Sequence, residues 1–306
     1  MKPQKIELKK GDRICFFGDS ITQQGLWIAE VFEYFVKCFP EKKIPLFNCG
    51  IGGARGYEYN IKNRLYCDCM NYFPTHVVIM HGMNDVYGFL YNPNHPDHDK
   101  PELREQQLRL YEESFDPMLR FFLEREIVPI VCTPTPYDEY TKDLPGENDL
   151  CDTALKRCAQ IARDAAERHG CLLVDMRTAL LDRLSQRPVG EDRVHPNAFG
   201  YHLMAERFLF TLGLKETEEP DKVVTLSEAN RARFETEQKL RLIMGVERDH
   251  FRMQYAPSVP IEERKKMVKA ALEKGLLPFC APYPEYADYR DELQGEYLLR
   301  TEKMYL

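Results

Sequence analysis

Two short segments, far apart along the chain, hold the side chains that could carry out a nucleophilic reaction. Ser20 follows the apolar run at residues 14–17, which predicts a serine at the tip of a buried strand, where a helix begins. A nucleophile in such a turn is exposed yet rigid. His195 could take its proton, and Asp192, three residues earlier, could accept a hydrogen bond from the second imidazole nitrogen. These residue types predict a hydrolytic triad.

Two further segments could stabilise the negative charge that develops in such a reaction. Gly53 and Asn84 each follow another strand-like run, and both can supply hydrogen-bond donors to an oxyanion. Glycine at position 53 has no Cβ, so the backbone there can approach a substrate closely. The simpler interpretations are that Ser20 caps the first helix, that Asn84 caps a turn and that His195 is an ordinary loop histidine.

The composition limits the class of protein and its partners. A length of 306 residues predicts one large α/β domain with an appendage. Charged residues make up 30% of the chain, the net charge is -7 and both signs are interspersed, so we expect neither nucleic acid nor a membrane as partner. The amino-terminal residues are polar and form no apolar segment of secretory length. This predicts a cytoplasmic location, unless a processed signal has been removed.

The cysteines do not indicate a metal site. The chain has 10 cysteines, most of them inside apolar runs, where they are typical of small buried hydrophobic residues in a reducing compartment. Cys67 and Cys69 form a close pair, but no second pair completes a zinc site. We therefore predict no metal and no organic cofactor.

Apolar runs alternate with helical periodicity through the first two-thirds of the chain. The predicted strands are residues 13–18, 44–49, 76–81, 127–133 and 171–175, and the predicted helices are residues 21–39, 57–72, 102–126, 150–169 and 197–212. Strands that are continuously apolar and separated by helices indicate a parallel sheet covered on both faces. Functional groups in such sheets gather at the carboxyl ends of the strands. Ser20, Gly53, Asn84 and the turn at residues 133–137 all fall there.

The pattern changes near residue 216. The polar stretch 215–221 is typical of a linker, and the sequence after it predicts helices without strands. One helix is expected at residues 227–244 and a second at residues 260–275. We therefore predict a hydrolase domain at residues 1–215 and a helical extension at residues 216–306. Its apolar positions predict packing against the first domain or against a second subunit, which would make a homo-oligomer.

Four blocks of residues, in this order, resemble those of the SGNH or GDSL hydrolases. They are residues 18–22 (Gly-Asp-Ser-Ile-Thr), 48–53 (Asn-Cys-Gly-Ile-Gly-Gly), 82–85 (Gly-Met-Asn-Asp) and 192–195 (Asp-Arg-Val-His). The resemblance covers residues 13 to about 212. It implies a flavodoxin-like, three-layer α/β/α fold with a five-stranded parallel sheet. It also implies a serine esterase, with Ser20, Asp192 and His195 as catalytic residues and the N–H groups of Ser20 and Gly53 and the Asn84 amide as oxyanion hole.

The substrate is predicted from the segments around these blocks. Arg55 stands where many family members carry a small polar residue, and residues 87–101 form a polar insertion that could be a pocket wall. We expect substrate contacts from Asp19, Arg55, Tyr87 and Tyr137. Polar walls, together with a mean hydropathy of -0.50, favour a short acyl ester, such as an acetyl ester on a sugar, over a lipid.

Other functions are compatible with the same residues. A lysophospholipase or thioesterase could use the same triad, and a catalytically silent carbohydrate-binding or scaffolding protein could share the fold. The glycines at residues 50–56 also resemble a dinucleotide-binding turn. The third glycine is misplaced for that motif, however, and no acidic residue ends a second strand at the required distance.

Overall fold

A five-stranded parallel sheet lies at the centre of the chain. The computed structural model describes residues 5–58, 65, 69–142, 144, 151–244 and 287–305. The strands are β1 (Ile14–Gly18), β2 (Leu46–Gly50), β3 (His76–Met80), β4 (Val128–Cys132) and β5 (Leu172–Val174). Their order is β2-β1-β3-β4-β5, with every pair parallel. This is the flavodoxin-like order, and the predicted fold class is confirmed.

Helices cover both faces of the sheet. They are α1 (Ser20–Gln24), α2 (Leu26–Cys38), α3 (Pro101–Leu123), α4 (Cys151–His169), α5 (Met176–Leu184), α6 (Ala198–Thr211), α7 (Glu228–Met244) and α8 (Ala287–Met304). Phe16 of β1 packs against Trp27 of α2 and Phe208 of α6, with ring centroids 5.0 and 5.6 Å away. Phe17 points to the opposite face and is equally buried. Burial on both faces explains why the strands are continuously apolar.

The single helix predicted at residues 21–39 is wrong, because the chain breaks at Gly25. This residue has a φ of 69°, in the left-handed region that glycine adopts most easily. A Cβ at this position would lie 2.5 Å from Asn48 Nδ2, so the close contact also requires glycine. The break leaves α1 as a separate helix of five residues. Asp19, rather than Ser20, caps it, with its side chain accepting the Ile21 N–H at 2.9 Å.

Two other segments differ from the predicted elements. The helix predicted at residues 57–72 is described only at its ends, where Gly56–Glu58 and Met70–Tyr72 form short 3₁₀ turns, and most of the rest lies outside the described residues. Helix α5 was not predicted. It begins directly after β5, where the Asp175 side chain accepts the Thr178 N–H at 3.1 Å.

Two helices, α7 and α8, account for most of the described part of the extension, and the stretch before α7 is irregular. Helix α7 lies within one residue of the predicted bounds, and the Ser227 hydroxyl accepts the Asn230 N–H at 3.3 Å as its cap. The helix predicted at residues 260–275 lies outside the described residues. Leu240 of α7 and Tyr297 of α8 are buried in the same core as the sheet. Within the described part of the chain, no helix is both long and apolar enough to cross a membrane.

Candidate active site

The structure brings Ser20, His195 and Asp192 into one hydrogen-bonded line. Ser20 is the first residue of α1, directly beyond the carboxyl end of β1, while the other two lie in the loop before α6. Ser20 Oγ lies 2.9 Å from His195 Nε2, and His195 Nδ1 lies 2.8 Å from Asp192 Oδ2. The serine and histidine are 175 residues apart in sequence. The first distance allows proton transfer from the hydroxyl to the imidazole, and the second allows Asp192 to orient the ring.

Asp192 is held in its charged form. Its Oδ1 accepts the main-chain N–H groups of Val194 at 2.7 Å and His195 at 2.6 Å. Burial alone would raise the pKa of Asp192, but the hydrogen bonds from the His195 ring and from these two N–H groups outweigh it and lower the pKa. An ionised carboxylate keeps the imidazole proton on Nδ1, which leaves the Nε2 lone pair facing the serine.

The loop that carries Asp192 and His195 is anchored at several points. Residues Gly190 and Pro196 form an antiparallel bridge, and the Glu191 N–H donates to the His195 carbonyl at 2.9 Å. Arg193 Nη1 donates to the Asp138 carbonyl at 2.6 Å, which ties the loop to the segment after β4. These bonds fix the aspartate and histidine relative to the sheet, as a preorganised site requires.

The loop of Gly53 lies against Ser20 and is hydrogen-bonded to Asn84. Gly53 has a φ of 69°, in the left-handed region. A Cβ added to its neighbour Gly52 would lie 4.0 Å from Ser20 Cβ, which places this loop against Ser20. Asn84 Nδ2 donates to the Ala54 carbonyl at 3.2 Å, so the amide is joined to the same loop. The amide group has two N–H bonds, and the second can serve an oxyanion. The donor assignments stay predictions.

Asp85 connects the loops that carry Gly53 and Asn84, and sequence reasoning missed it. It is fully buried, and its carboxylate accepts the N–H groups of Gly56 at 2.6 Å and Gly82 at 2.9 Å. Burial raises the pKa of Asp85 to about 8, although both N–H groups favour the charged form. The sequence signal that could have identified Asp85 is an acidic residue close to the end of a predicted strand, between Gly82 and Gly88.

Two of the residues expected to contact substrate, Asp19 and Tyr137, are buried in the structure. Asp19 is 2% exposed, and its carboxylate is used to cap α1. Burial raises the pKa of Asp19 to about 6. Tyr137 is 3% exposed, and its N–H donates to Asp152 Oδ1 at 2.9 Å. The substrate contacts expected of Asp19 and Tyr137 stay predictions.

Arg55 and Tyr87 pack together beside Asn84. The Arg55 guanidinium carbon lies 3.7 Å from the centroid of the Tyr87 ring, and its Nε donates to the Asn84 carbonyl at 3.2 Å. Its Nη1 also donates to the Tyr57 hydroxyl at 3.1 Å. A stacked guanidinium combines cation–π attraction with a fixed set of donors. These contacts place Arg55 and Tyr87 next to the predicted oxyanion donor.

The insertion extends this stack into an aromatic surface. The ring of Phe89 lies 3.9 Å from that of Tyr87 and 4.5 Å from that of His95, measured between centroids. Phe89 is 38% exposed, so the surface is open to solvent. We call Arg55, Tyr87, Phe89 and His95 the aromatic shelf. The insertion predicted as a pocket wall therefore forms an aromatic face next to the Arg55 guanidinium.

The sequence of this chain is similar to those of known hydrolases. Residues 16–203 match the model of the GDSL-like Lipase/Acylhydrolase family. An acetylxylan esterase from Geobacillus stearothermophilus is 25% identical over 230 residues, which are 69% of this chain and 98% of that enzyme. Solved variants of this acetylxylan esterase that carry alanine in place of a serine, an aspartate or a histidine are described as catalytic mutants.

Two solved structures show how far the likeness extends. The structure of a gut microbial diltiazem-metabolizing enzyme has a TM-score of 0.75 and 18% identity, and the match covers 99% of this chain and 97% of the other. An alpha/beta hydrolase from the metagenome of Lake Arreo, Spain, has a TM-score of 0.55 and 25% identity, covering 67% of this chain and 96% of the other. The first shows that the fold is shared beyond the region that the family model matches.

Proposed function

The chain belongs to the GDSL-like lipase and acylhydrolase family and is a carboxylic ester hydrolase, and we propose that it removes short acyl groups, above all acetyl, from carbohydrates. The observation that carries the proposal is the line from Ser20 Oγ through the imidazole of His195 to the carboxylate of Asp192, at 2.9 and 2.8 Å. This arrangement fits acyl transfer through a covalent intermediate on the serine.

In the proposed reaction Ser20 Oγ attacks the acyl carbonyl carbon while His195 Nε2 takes the hydroxyl proton. The carbonyl oxygen becomes an anion, which the N–H groups of Ser20 and Gly53 and the Asn84 amide would stabilise. When the carbon–oxygen bond breaks, the imidazolium returns its proton to the leaving alcohol and an acyl-enzyme remains. Water then attacks the acyl carbon, His195 takes its proton, and the carboxylic acid leaves as Ser20 recovers its own.

The aromatic shelf supports a sugar as the leaving alcohol. Sugar rings present a flat C–H face that packs on aromatic side chains, and the guanidinium of Arg55 can donate hydrogen bonds to hydroxyl groups. The acetylxylan esterase that this chain resembles acts, by its name, on an acetylated carbohydrate. The shelf is short, with three rings beside Arg55, so we expect it to offer little apolar length for a long acyl chain.

Replacement of Ser20 tests the mechanism. Ser20→Ala should abolish hydrolysis of a chromogenic acetate ester, because nucleophile and base act as one unit. It should also abolish labelling by a serine-directed phosphonate, while far-UV circular dichroism and the melting temperature stay close to those of the unaltered chain. Turnover by Ser20→Ala at the rate of the unaltered protein would end the serine esterase assignment.

A series of acyl chain lengths tests the substrate class. Each methylene that extends beyond the short aromatic shelf forgoes about 0.8 kcal/mol of burial, so lengthening the acyl group should bring no compensating gain in binding. We expect kcat/KM to fall from acetate to butyrate to octanoate esters of one leaving group, and acetate to be released from peracetylated sugars. A rate that rises with chain length, or no acetate from any sugar, would favour a lysophospholipase or thioesterase instead.

A further inference from the structure

A buried carboxylate of the C-terminal extension reaches the edge of the sheet. Glu237 of α7 is 2% exposed, and its Oε1 accepts the main-chain N–H of Asn48 in β2. Its Oε2 lies 3.4 Å from Nη1 of Arg233, which is fully buried. The match to the family model ends at residue 203, so α7 lies outside the region that defines the family.

The C-terminal helices take the place of a sixth strand along β2. Strand β2 is at the edge of the sheet and pairs with β1 alone. Glu237 accepts the Asn48 N–H on the open side, and the Tyr297 hydroxyl of α8 donates to the Leu46 carbonyl there. Arg233 Nη1 also lies 3.4 Å from that carbonyl. Side chains thereby satisfy two backbone groups that a neighbouring strand would otherwise bind.

The side chain of Asn48 connects β2 to α1, the helix that begins at Ser20. Its Nδ2 donates to the carbonyls of Thr22 at 2.9 Å and Gln23 at 3.1 Å, and its Oδ1 accepts the Gly50 N–H at 2.9 Å. Thr22 and Gln23 belong to the last turn of α1, where carbonyls have no partner within the helix. Because α1 has only five residues, a bond at its end also sets the position of Ser20 at its start.

The same short helix holds the loop of the predicted oxyanion hole. The Gln23 side-chain carbonyl accepts the Gly52 N–H, directly before Gly53. At the other end of α1, Gly25 is enclosed between Asn48 and α7, since a Cβ there would lie 3.0 Å from the Phe234 ring. Helix α7 therefore contacts both Asn48 and the turn after α1.

We propose that Glu237 is a positioning residue for the ester hydrolysis at Ser20. It fixes Asn48, which in turn holds α1 with the nucleophile and, through Gln23, the loop of Gly53. The inference rests on the proposed function of Ser20 and deepens it, because it assigns the C-terminal extension a part in the same reaction. Displacement of a reacting group by about 1 Å can cost about 100-fold in rate, so a remote anchor of this kind can control kcat.

The test compares Glu237→Ala with a control that weakens the same helix without touching Asn48. Glu33→Ala serves as control, because the Glu33 carboxylate accepts the Ser227 N–H at 3.1 Å and an Asn230 Nδ2 hydrogen at 2.9 Å, near the start of α7. We expect Glu237→Ala to lower kcat on an acetate ester by about 10- to 100-fold with KM little changed. Glu33→Ala should keep kcat even if its melting temperature falls as far.

Three further readouts separate positioning from stability. Glu237→Gln keeps a carbonyl acceptor for the Asn48 N–H and should recover most of the lost kcat. Asn48→Ala combined with Glu237→Ala should lower kcat no further than Asn48→Ala alone, because the two residues act in series. Amide hydrogen exchange should speed up at residues 20–24 and 50–53 in Glu237→Ala, but not in Glu33→Ala.

A second variant keeps the test decisive if Glu237→Ala does not fold. Loss of Glu237 leaves the buried charge of Arg233 without its partner, which is strongly destabilising in protein interiors. If Glu237→Ala does not fold, the double variant Arg233→Met with Glu237→Met removes both charges and the acceptor together, and the same kinetic and exchange measurements apply to it. Failure of both variants to fold, while Glu33→Ala folds, would show a structural role and overturn the proposal.

The outcomes distinguish this inference from the proposed function. An unaltered kcat in the folded Glu237 variant, with exchange unchanged at residues 20–24, would overturn the inference while Ser20 remained the nucleophile. Full activity of Ser20→Ala in the same assay would instead overturn the proposed function, and the inference with it.

Discussion

Asn84 stands at the carboxyl end of β3, where its amide can meet charge that exists mainly in the transition state. Removing one oxyanion donor usually lowers kcat by about 10² to 10³. We therefore expect Asn84→Ala to lower kcat by this amount with a much smaller change in KM. Steady-state kinetics on a short acetate ester measures it. A raised KM at unchanged kcat would mean that Asn84 binds the ground-state substrate instead.

The two oxygens of Asp192 have different partners: Oδ1 accepts main-chain N–H groups of its own loop, and Oδ2 contacts the His195 ring. Replacement by asparagine separates these two interactions. In Asp192→Asn the Oδ1 can still accept the N–H groups of Val194 and His195, so the loop should keep its shape. The new NH₂ group would face Nδ1 of His195 and favour the unproductive tautomer, a change that costs about 10⁴ in kcat in a serine protease. We expect Asp192→Asn to lose less activity than Ser20→Ala or His195→Ala. Equal loss in all three variants would contradict this role.

The candidate catalytic residues could be predicted from the sequence, because the proposed reaction needs particular residue types. The residues that hold them in place could not. Ser20 stands in a short motif at a predicted strand end and His195 in one directly before a predicted helix, and the resemblance to the family implied that they meet. Asp19 stands in the same motif as Ser20, yet the sequence does not show that its carboxylate turns back to cap α1. Glu237 meets Asn48 across 189 residues, and no local pattern marks that contact.

Among the elements, the strands were the easiest to predict and the breaks between helices the hardest. All five strands lie within two residues of their predicted bounds at each end, because burial on both faces leaves a continuous apolar run. Helix α5 has nine residues and follows β5 directly, so it shows few turns of periodicity. The break at Gly25 depends on its contact with Asn48 and Phe234, which is tertiary.

Helix α6 is tied to α2 through a buried histidine. His202 Nδ1 lies 2.8 Å from Glu30 Oε2, and its Nε2 lies 2.9 Å from the Glu219 carbonyl. Burial alone would lower the pKa of His202, but the Glu30 carboxylate, the Glu219 carbonyl and the charge of nearby Glu206 raise it. With an acceptor at each nitrogen, both N–H groups of the doubly protonated ring have a partner, which favours that form.

This contact predicts a pH dependence of stability. The pKa is raised in the folded state, so the contribution of His202 is complete below the unfolded pKa of about 6.5 and is lost as pH rises through the folded value. We expect the difference in free energy of unfolding between the unaltered protein and His202→Gln to shrink as pH rises above about 6.5. Urea unfolding of both proteins at several pH values measures it. A constant difference across that range would disprove the contribution.

At the scale of the whole molecule, the two predicted domains share one core. Helix α7 contacts both β2 and α2, and the Tyr297 ring of α8 lies 5.1 Å from that of Phe47 in β2. The boundary proposed at residue 216 therefore follows α6, while burial continues across it. An edge strand that loses its cover exposes unpaired backbone groups, which are a template for association with other chains.

Truncation after Leu214 tests whether the extension is needed to cover that edge. It would remove Glu237 and Tyr297 from the backbone groups of β2 and expose side chains such as Phe47, each worth roughly 1.5 to 3 kcal/mol when buried. We expect the truncated chain to aggregate or to lose its cooperative thermal transition, as seen by light scattering and circular dichroism. Leu299→Ser, at a position of α8 that is 52% exposed, is the matched control and should change neither property.

Light scattering also decides between the two packing arrangements predicted for the extension. If the helices cover only their own sheet, the full-length chain keeps its mass on dilution and the truncated chain forms large, heterogeneous particles. If they also join two subunits, the full-length chain has the mass of an oligomer and the truncated chain that of a monomer. Both arrangements would be contradicted by a truncated chain that stays soluble, keeps the assembly state of the full-length protein and melts at the same temperature. That result would mean that residues 1–214 form a core of their own, which loses no buried apolar surface when the extension is removed.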